Sequence, residues 1–378
     1  MKSDTTEAKS LSPLERTVFS LRDLYSSYGY TQYSMGKFEE YDFYSRNKDF
    51  LVSDAVITFT DTTGKLMALK PDVTLSIVKN DSDCDKGVRK VYYDENVYRV
   101  SKRNDTFGEI KQTGLECVGD IDDYHLAEVI LLAAKSLKQV SDDFVLVLSD
   151  LDILLSFVDY TTDDELVKRE LIKCIGEKNA SGIDEVGVKY LLNPEKTSLL
   201  KTFIATYGDP VKVFDGLSVL SDRPGFSESL CKLRSIISVF ANTGLDKSIQ
   251  IDFSITGDLN YYNGIVFKGY IAGLPDSVLS GGQYNRLMEK LGRRSKAVGF
   301  AVYLDMLDRL APPAPEFDSD VLLYYKSNEP VDSVREVVES FISDGKSVSA
   351  VREGDLGINC KEIYILSNGE VTRIENDA

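Results

Sequence analysis

The run Glu109-Ile110-Lys111-Gln112-Thr113-Gly114-Leu115-Glu116-Cys117-Val118-Gly119, which closes the segment 91–119, reads as an extended strand. Side chains in a strand alternate with period two, so Gln112, Gly114, Glu116 and Val118 share one face. That face carries an amide and a carboxylate with no side chain between them. Gly114 leaves room there, and Gln112 and Glu116 are placed to flank a small bound molecule. Arg99, on the neighbouring strand-like run 90–100, brings a cation close. Arginine for a carboxylate and glutamate for an ammonium is a set suited to an amino acid. A solvated sheet face reads the same way from these residues alone.

A second segment, 256–300, narrows the choice. It holds Asp258-Leu259-Asn260-Tyr261-Tyr262-Asn263-Gly264, then Ser280-Gly281-Gly282-Gln283-Tyr284-Asn285, then Ala297-Val298-Gly299-Phe300-Ala301. Upstream stand Leu69-Lys70-Pro71-Asp72-Val73-Thr74 and Gln112-Thr113-Gly114-Leu115-Glu116. In this order these motifs resemble the landmarks of histidyl-tRNA synthetase, over most of residues 12–310. Within that family the chain is most similar to the catalytically silent paralogue, the regulatory subunit of ATP phosphoribosyltransferase. The resemblance implies an α+β fold: a class II aminoacyl-tRNA synthetase-like antiparallel sheet flanked by helices, over residues 1–310. A helical insert is expected at about 151–245, then a linker at 311–317 and a small C-terminal α/β domain at 318–378.

Composition agrees with a globular chain of two or three domains. There are 378 residues, 43% apolar and 28% charged. The net charge is −17, and the only basic clusters are pairs such as Lys102-Arg103 and Arg293-Arg294. Such a chain repels a phosphate backbone, so no nucleic acid is expected as a partner. The five cysteines, Cys84, Cys117, Cys174, Cys231 and Cys360, are scattered and never paired as Cys-x-x-Cys. This suits a reducing cytosol and gives neither a disulfide framework nor a zinc knuckle. Residues 1–10 are polar and lack the apolar core of a signal peptide. No run approaches the ~18 apolar residues of a membrane span, so a cytoplasmic protein is expected. The single histidine, His125, sits in the first turn of a predicted helix as a structural or surface group.

Along the chain, Ser12-Pro13-Leu14-Glu15 is a capping box, and Leu14, Val18, Leu21, Tyr25 and Tyr28 mark one helical face that ends at Gly29. In the resembled family this helix belongs to the dimer-forming first motif. Residues 55–60 and 65–69 read as a hairpin around Asp61-Thr62-Thr63-Gly64. Asp72 and Thr74 open a helix-like run to Asn80, where a polar residue is also a helix cap. Residues 90–100 and 109–119 read as antiparallel strands around a polar loop, 101–107. A helix is predicted at 123–137 and a strand at 144–148. Leu, Ile and Val at helical spacing then run to about 245, broken by Pro194, Pro210 and Pro224. Strands are predicted at 248–255 and 264–270. Ala311-Pro312-Pro313-Ala314-Pro315 is a stiff linker. Beyond it, the segment from Asp318 has 13 acidic and six basic residues, a net of −7, which suits contact with protein better than with RNA.

The resemblance also shows what is missing. A class II synthetase stabilises charge at the α-phosphate of ATP with three arginines. Arg99 matches the first, whereas the second falls at Gly257 and the third at Met306. The family's adenine-recognising glutamate aligns with Ser101 and its base-stacking aromatic near Ile110. Each lost charge-assisted contact removes about 2–4 kcal/mol of transition-state stabilisation. The amino-acid half is better kept: Asp72, Thr74, Arg99, Gln112, Glu116, Tyr261, Tyr262 and Tyr284 are the candidate histidine-binding residues. Asp72 stands for a glutamate, Asn260 for an aspartate and Gln283 for an arginine. The resemblance implies Glu116 and Asp72 on the ammonium, with Tyr262 and Tyr284 framing the imidazole. It further implies no cofactor and no catalytic residues. The implied partners are the short ATP phosphoribosyltransferase catalytic subunit, in a hetero-octamer, a second copy of the chain as a self-dimer, and L-histidine.

Overall fold

The computed structural model describes residues 11–47, 56–79, 87–100, 106–218, 226–257, 259, 261–307, 317–352 and 358–374. They fall into two compact units, Met1–Leu310 and Ala311–Ala378. Residues 1–10, Cys84, Ser101, Lys102, Arg103, Pro224, Asp258, Asn260 and the linker 311–316 lie outside the described residues.

In the first unit, helix α1 (Pro13–Ser27) starts on the capping box: the Glu15 N–H donates to Ser12 Oγ and the Ser12 N–H to the Glu15 carboxylate. It buries Val18, Leu21 and Tyr25, and Gly29 follows at φ 81°. Next come β1 (Thr31–Gln32), β2 (Phe38–Glu40), α2 (Tyr41–Arg46), the hairpin β3 (Thr58–Thr60) and β4 (Leu66–Leu69), and α3 (Val73–Lys79). Two long strands, β5 (Val88–Val100) and β6 (Phe107–Gly119), pair antiparallel with Tyr93 opposite Gly114. Phe107, expected in a loop, begins β6. Helix α4 (Asp123–Val140) is capped by Asp122, whose carboxylate takes the His125 N–H. His125 turns its ring to the same carboxylate, a capping role at the surface.

Strand β7 (Phe144–Asp150) leads into helices α5 (Leu151–Thr161), α6 (Glu165–Gly176), α7 (Ala180–Lys189), α8 (Pro194–Ala205), α9 (Pro210–Leu217) and α10 (Phe226–Ile237). Pro194 and Pro210 do not break this helical stretch. They open α8 and α9 behind the caps Asn193 and Asp209, where a proline's missing N–H has no partner to lose. Phe157, Phe203 and Phe253 stack at 4.9 and 4.7 Å between centroids, which gives these helices a packed interior.

The chain then closes the sheet with β8 (Ile249–Ile251), β9 (Ile265–Ile271), β10 (Leu279–Gln283), α11 (Asn285–Lys290), β11 (Lys296–Tyr303) and the short α12 (Leu304–Leu307). The strand expected at 248–255 is shorter, because Phe253 and Ser254 turn away from the edge. The sheet has eight strands in the order β1-β5-β6-β11-β10-β9-β7-β8. All pairs are antiparallel except β1 with β5 and β7 with β8. One face carries Leu115, Cys117, Leu146, Leu148, Phe267 and Phe300, buried with α1 and α4 in the main core. Burying each such side chain stabilises the fold by roughly 1.5–3 kcal/mol. Gln112, Gly114, Glu116 and Val118 lie on the other face, as the period of two requires.

The second unit has the sheet order β13 (Val348–Arg352), β12 (Ser319–Tyr325), β14 (Cys360–Ser367), β15 (Glu370–Ile374). β12 is parallel to both neighbours, and α13 (Val331–Ser343) crosses from it to β13, with Phe341 4.8 Å from Tyr364 of β14. Asn368 and Gly369, at φ 53° and 79°, form the two-residue hairpin turn into β15.

Strand packing near the sheet centre is tight at Gly281. A Cβ there would stand 2.4 Å from the Gly299 carbonyl oxygen and 2.5 Å from Phe300 Cβ. Neither is a flexible side-chain end. Gly281→Ala is therefore expected to destabilise the first unit by about 1–3 kcal/mol, read as a lower urea midpoint with an unchanged slope.

Candidate functional site

The polar face of the sheet carries a cavity of about 100 Å³. Asp72, Thr74, Arg99, Gln112, Glu116, Tyr261, Tyr262 and Tyr284 all line it, from five separate parts of the chain. The size suits a small metabolite and falls below the ~300–1,000 Å³ of sites for drug-sized ligands.

Glu116 lies at its centre. The side chain is 2% exposed and lies against β11, where Gly299 faces it across the strand pair. A Cβ at 299 would stand 1.7 Å from Glu116 Oε2, so only glycine admits the carboxylate. Thr74 Oγ1 donates to Glu116 Oε1 at 2.7 Å, and the Tyr284 hydroxyl donates to Oε2. Burial pushes the Glu116 carboxyl up to about 8, although both hydroxyls pull it down. Near neutral pH, then, Glu116 is mainly uncharged.

The aromatic wall is set by the same use of small residues. Tyr262 lies over Gly282, where a Cβ would come within 2.9 Å of its ring. Tyr261 packs at a tilt against both Tyr262 and Tyr284, at 4.6 and 5.7 Å between centroids. Burial drives the phenols of Tyr93, Tyr261, Tyr262 and Tyr284 well above their ordinary range, so all four stay protonated.

Two expectations change. The space at Gly114 is not open to a ligand. It is filled by Tyr93, whose hydroxyl would stand 2.6 Å from an added Cβ, and by the Phe300 carbonyl at 2.2 Å. Asp72 does not face the cavity as a free carboxylate. One oxygen takes the Leu75 N–H and so caps α3, and the other takes Arg99 Nη2 at 3.3 Å. Arg99 Nε also donates to the Pro71 carbonyl at 2.7 Å, which fixes the guanidinium at the rim. Gln283 is separated from the other candidate positions. It follows Ser280 and Gly282 on β10 with opposite parity, and lines a different cavity.

Tyr93, Ser280 and Tyr303 also line the first cavity. Ser280 and Tyr303 are hydrogen-bonded through their hydroxyls at 2.7 Å. The pairing of Tyr93 with Gly114, large against small across two strands, depends on register, which single segments do not carry. Gly257 adopts φ 58° beside the Tyr262 ring, and Met306 packs against the main core. Ile110 packs with Val73, Val97 and their neighbours. Arg99 is the one cation lining this cavity among the described residues. Those residues contain no group of three or more His, Cys, Asp or Glu arranged to hold a metal ion, and no helix long and apolar enough to cross a membrane.

An eight-stranded, largely antiparallel sheet backed by helices, with a polar cavity on its open face, is the class II aminoacyl-tRNA synthetase fold. Residues 5–307 match the histidyl-tRNA synthetase family, and the chain belongs to that family. It is 29% identical over 288 residues, 74% of this chain and 72% of the relative, to the ATP phosphoribosyltransferase regulatory subunit of Alkaliphilus metalliredigens (strain QYMF). A solved structure, the ATP phosphoribosyltransferase regulatory subunit/histidyl-tRNA synthetase from Bacillus halodurans, superposes with a TM-score of 0.74 at 21% identity, covering 94% of this chain and 92% of that one. The ATP phosphoribosyl transferase (HisG:HisZ) complex from Thermotoga maritima gives a TM-score of 0.61 at 18% identity, covering 77% of this chain and 97% of that one.

The Glu116 proton has a measurable consequence. An unfolded glutamate ionises near 4.5, the folded one near 8. Between these values the unfolded state loses its proton first, so stability falls as pH rises through the interval and levels off above it. In Glu116→Gln this slope is expected to disappear, as measured by urea denaturation across the interval.

Proposed function

We propose that the chain is a non-catalytic regulatory subunit of ATP phosphoribosyltransferase. It activates the short catalytic subunit in the first step of histidine biosynthesis and contributes to histidine feedback. The observation that carries this reading is the charge of the cavity. Its lining keeps a buried carboxylate, an amide and five tyrosines, but a single cation, Arg99, already held by Asp72 and the Pro71 carbonyl. Adenylate formation needs positive charge where charge develops at the α-phosphate. Glycine at 257 and methionine at 306 bring none. The regulatory-subunit relative named above agrees with this reading.

In the proposed complex, L-histidine places its ammonium against Glu116, between the Thr74 and Tyr284 hydroxyls. Arg99, anchored by Asp72, meets the carboxylate, and Tyr261, Tyr262 and Tyr284 border the imidazole. Asp72 then acts through Arg99 rather than on the ammonium itself. Histidine changes the catalytic subunit's response only by its different affinity for two assembly states, and the coupling is reciprocal. The assembly we infer is a hetero-octamer with four copies of each subunit, built on dimers of this chain.

Mixing the chain with a short catalytic subunit is expected to raise the rate of phosphoribosyl-ATP formation, and added histidine to lower it. Charging of tRNA by the chain alone would overturn the proposal. In calorimetric titration, histidine binding near pH 7 is expected to release a proton as Glu116 ionises. The observed heat then varies with the ionisation enthalpy of the buffer. Glu116→Gln should weaken binding by about 10-fold to 100-fold and abolish the proton release. Absence of histidine binding by the wild-type chain would place the feedback site on the catalytic partner.

A further inference from the structure

A second cavity, of about 380 Å³, opens on the other side of β10's end and shares no lining residue with the first. Three side-chain amides line it: Asn263, Gln283 and Asn285. In each, a backbone N–H holds the side-chain oxygen. Ile265 N–H donates to Gln283 Oε1 at 3.0 Å, Asn285 N–H to Asn263 Oδ1 at 2.8 Å, and Ala297 N–H to Asn285 Oδ1 at 3.0 Å. A backbone N–H can meet only the oxygen of an amide, so these bonds fix the orientation of all three groups. Their NH₂ ends are left as the donors available to the cavity. Gln283 is 7% exposed, so its amide is a built interior feature rather than a surface side chain.

The walls add Lys232, Lys296, Asp122, Asp123 and Asp152. Asp122 is held by the His125 N–H and ring at the start of α4, whereas Lys232, Lys296, Asp123 and Asp152 form no salt bridge among the described residues. Lys296 reaches only the Ile121 carbonyl, at 3.4 Å. Gly264, at φ 62°, keeps the gap between Gln283 and Asp152 open. A Cβ there would stand 2.3 Å from Gln283 Oε1 and 3.7 Å from Asp152 Oδ2. The cavity thus presents amide and ammonium donors together with carboxylates.

We propose that this cavity is a second ligand site, taking a small zwitterionic metabolite. Its acid group, a carboxylate or a phosphate, lies on the amide ends and the two lysines, and its amine meets Asp152 and Asp123. Charges of both signs make this a site for one molecule carrying both groups rather than for a simple anion. The inference is independent of the reading of the first cavity.

The test is calorimetric titration of the full chain with the standard free amino acids and phosphoethanolamine as zwitterionic probes, and with succinate and inorganic phosphate as anions lacking an amine. At least one zwitterionic probe is expected to bind the wild-type chain and Glu116→Gln equally. It should lose about tenfold or more in affinity in Lys232→Met and in Asp152→Asn, with melting temperatures unchanged. Three results would each overturn the proposal. The first is that no zwitterionic probe binds. The second is that binding vanishes in Glu116→Gln but survives both cavity variants, which assigns it to the first site. The third is that succinate or phosphate binds as tightly as the best zwitterion and Asp152→Asn has no effect, which leaves an adventitious ion only.

Discussion

A carboxylate buried against a backbone is the constraint around which the first unit is arranged. Glu116 fits only because β11 carries glycine at 299, and it is tolerated in the interior only because two hydroxyls reach it. Thr74 comes from the start of α3 and Tyr284 from the end of β10. Those bonds tie two distant segments to one acidic group. The capping of α3 by Asp72 extends the arrangement, since the same side chain fixes Arg99. Removing any one of these groups leaves another without its partner inside the protein, where an unpaired polar group is unfavourable by about 1–3 kcal/mol.

The same carboxyl joins protonation to occupancy. Burial makes its charge unfavourable, so it stays protonated to about 8. In the complex proposed above, the ligand's ammonium reverses the balance by bringing its own charge, and the site responds by changing its own ionisation. The position is unlike that of Arg99, whose charge is permanent and already matched by Asp72. The two ends of the cavity therefore differ in kind: one fixed and rim-bound, the other conditional and buried.

Much of this was legible in the sequence because strands alternate. Gln112 and Glu116 share a face by spacing alone, and the long runs that became β5 and β6 left little doubt of partner or direction. The motifs around Asp72, Tyr262 and Tyr284 brought the remaining lining residues into one site. What was not legible depends on register and on the third dimension. Gly114 reads as an empty place until Tyr93 is known to lie opposite it. Asp72 reads as a ligand until its oxygens are seen on Leu75 and Arg99. Gln283 sits beside Tyr284 in one motif, yet neighbours on an extended chain point to opposite sides. Pro194 and Pro210 were read as interruptions, although a proline behind an Asn or Asp cap begins a helix as readily as it ends one.

The floor of the first cavity is a patch of bare main chain, with Gly282 and Gly299 opposite each other on adjacent strands. Glu116 and Tyr262 rest directly on it. Such a floor has no graded variants, because the smallest possible side chain already displaces what lies on it. Natural drift in ligand preference is thereby confined to the walls, Tyr261, Tyr303 and Gln112 among them. On the reading proposed above, cations could be lost one at a time while the amino-acid seat over this patch stayed all or nothing.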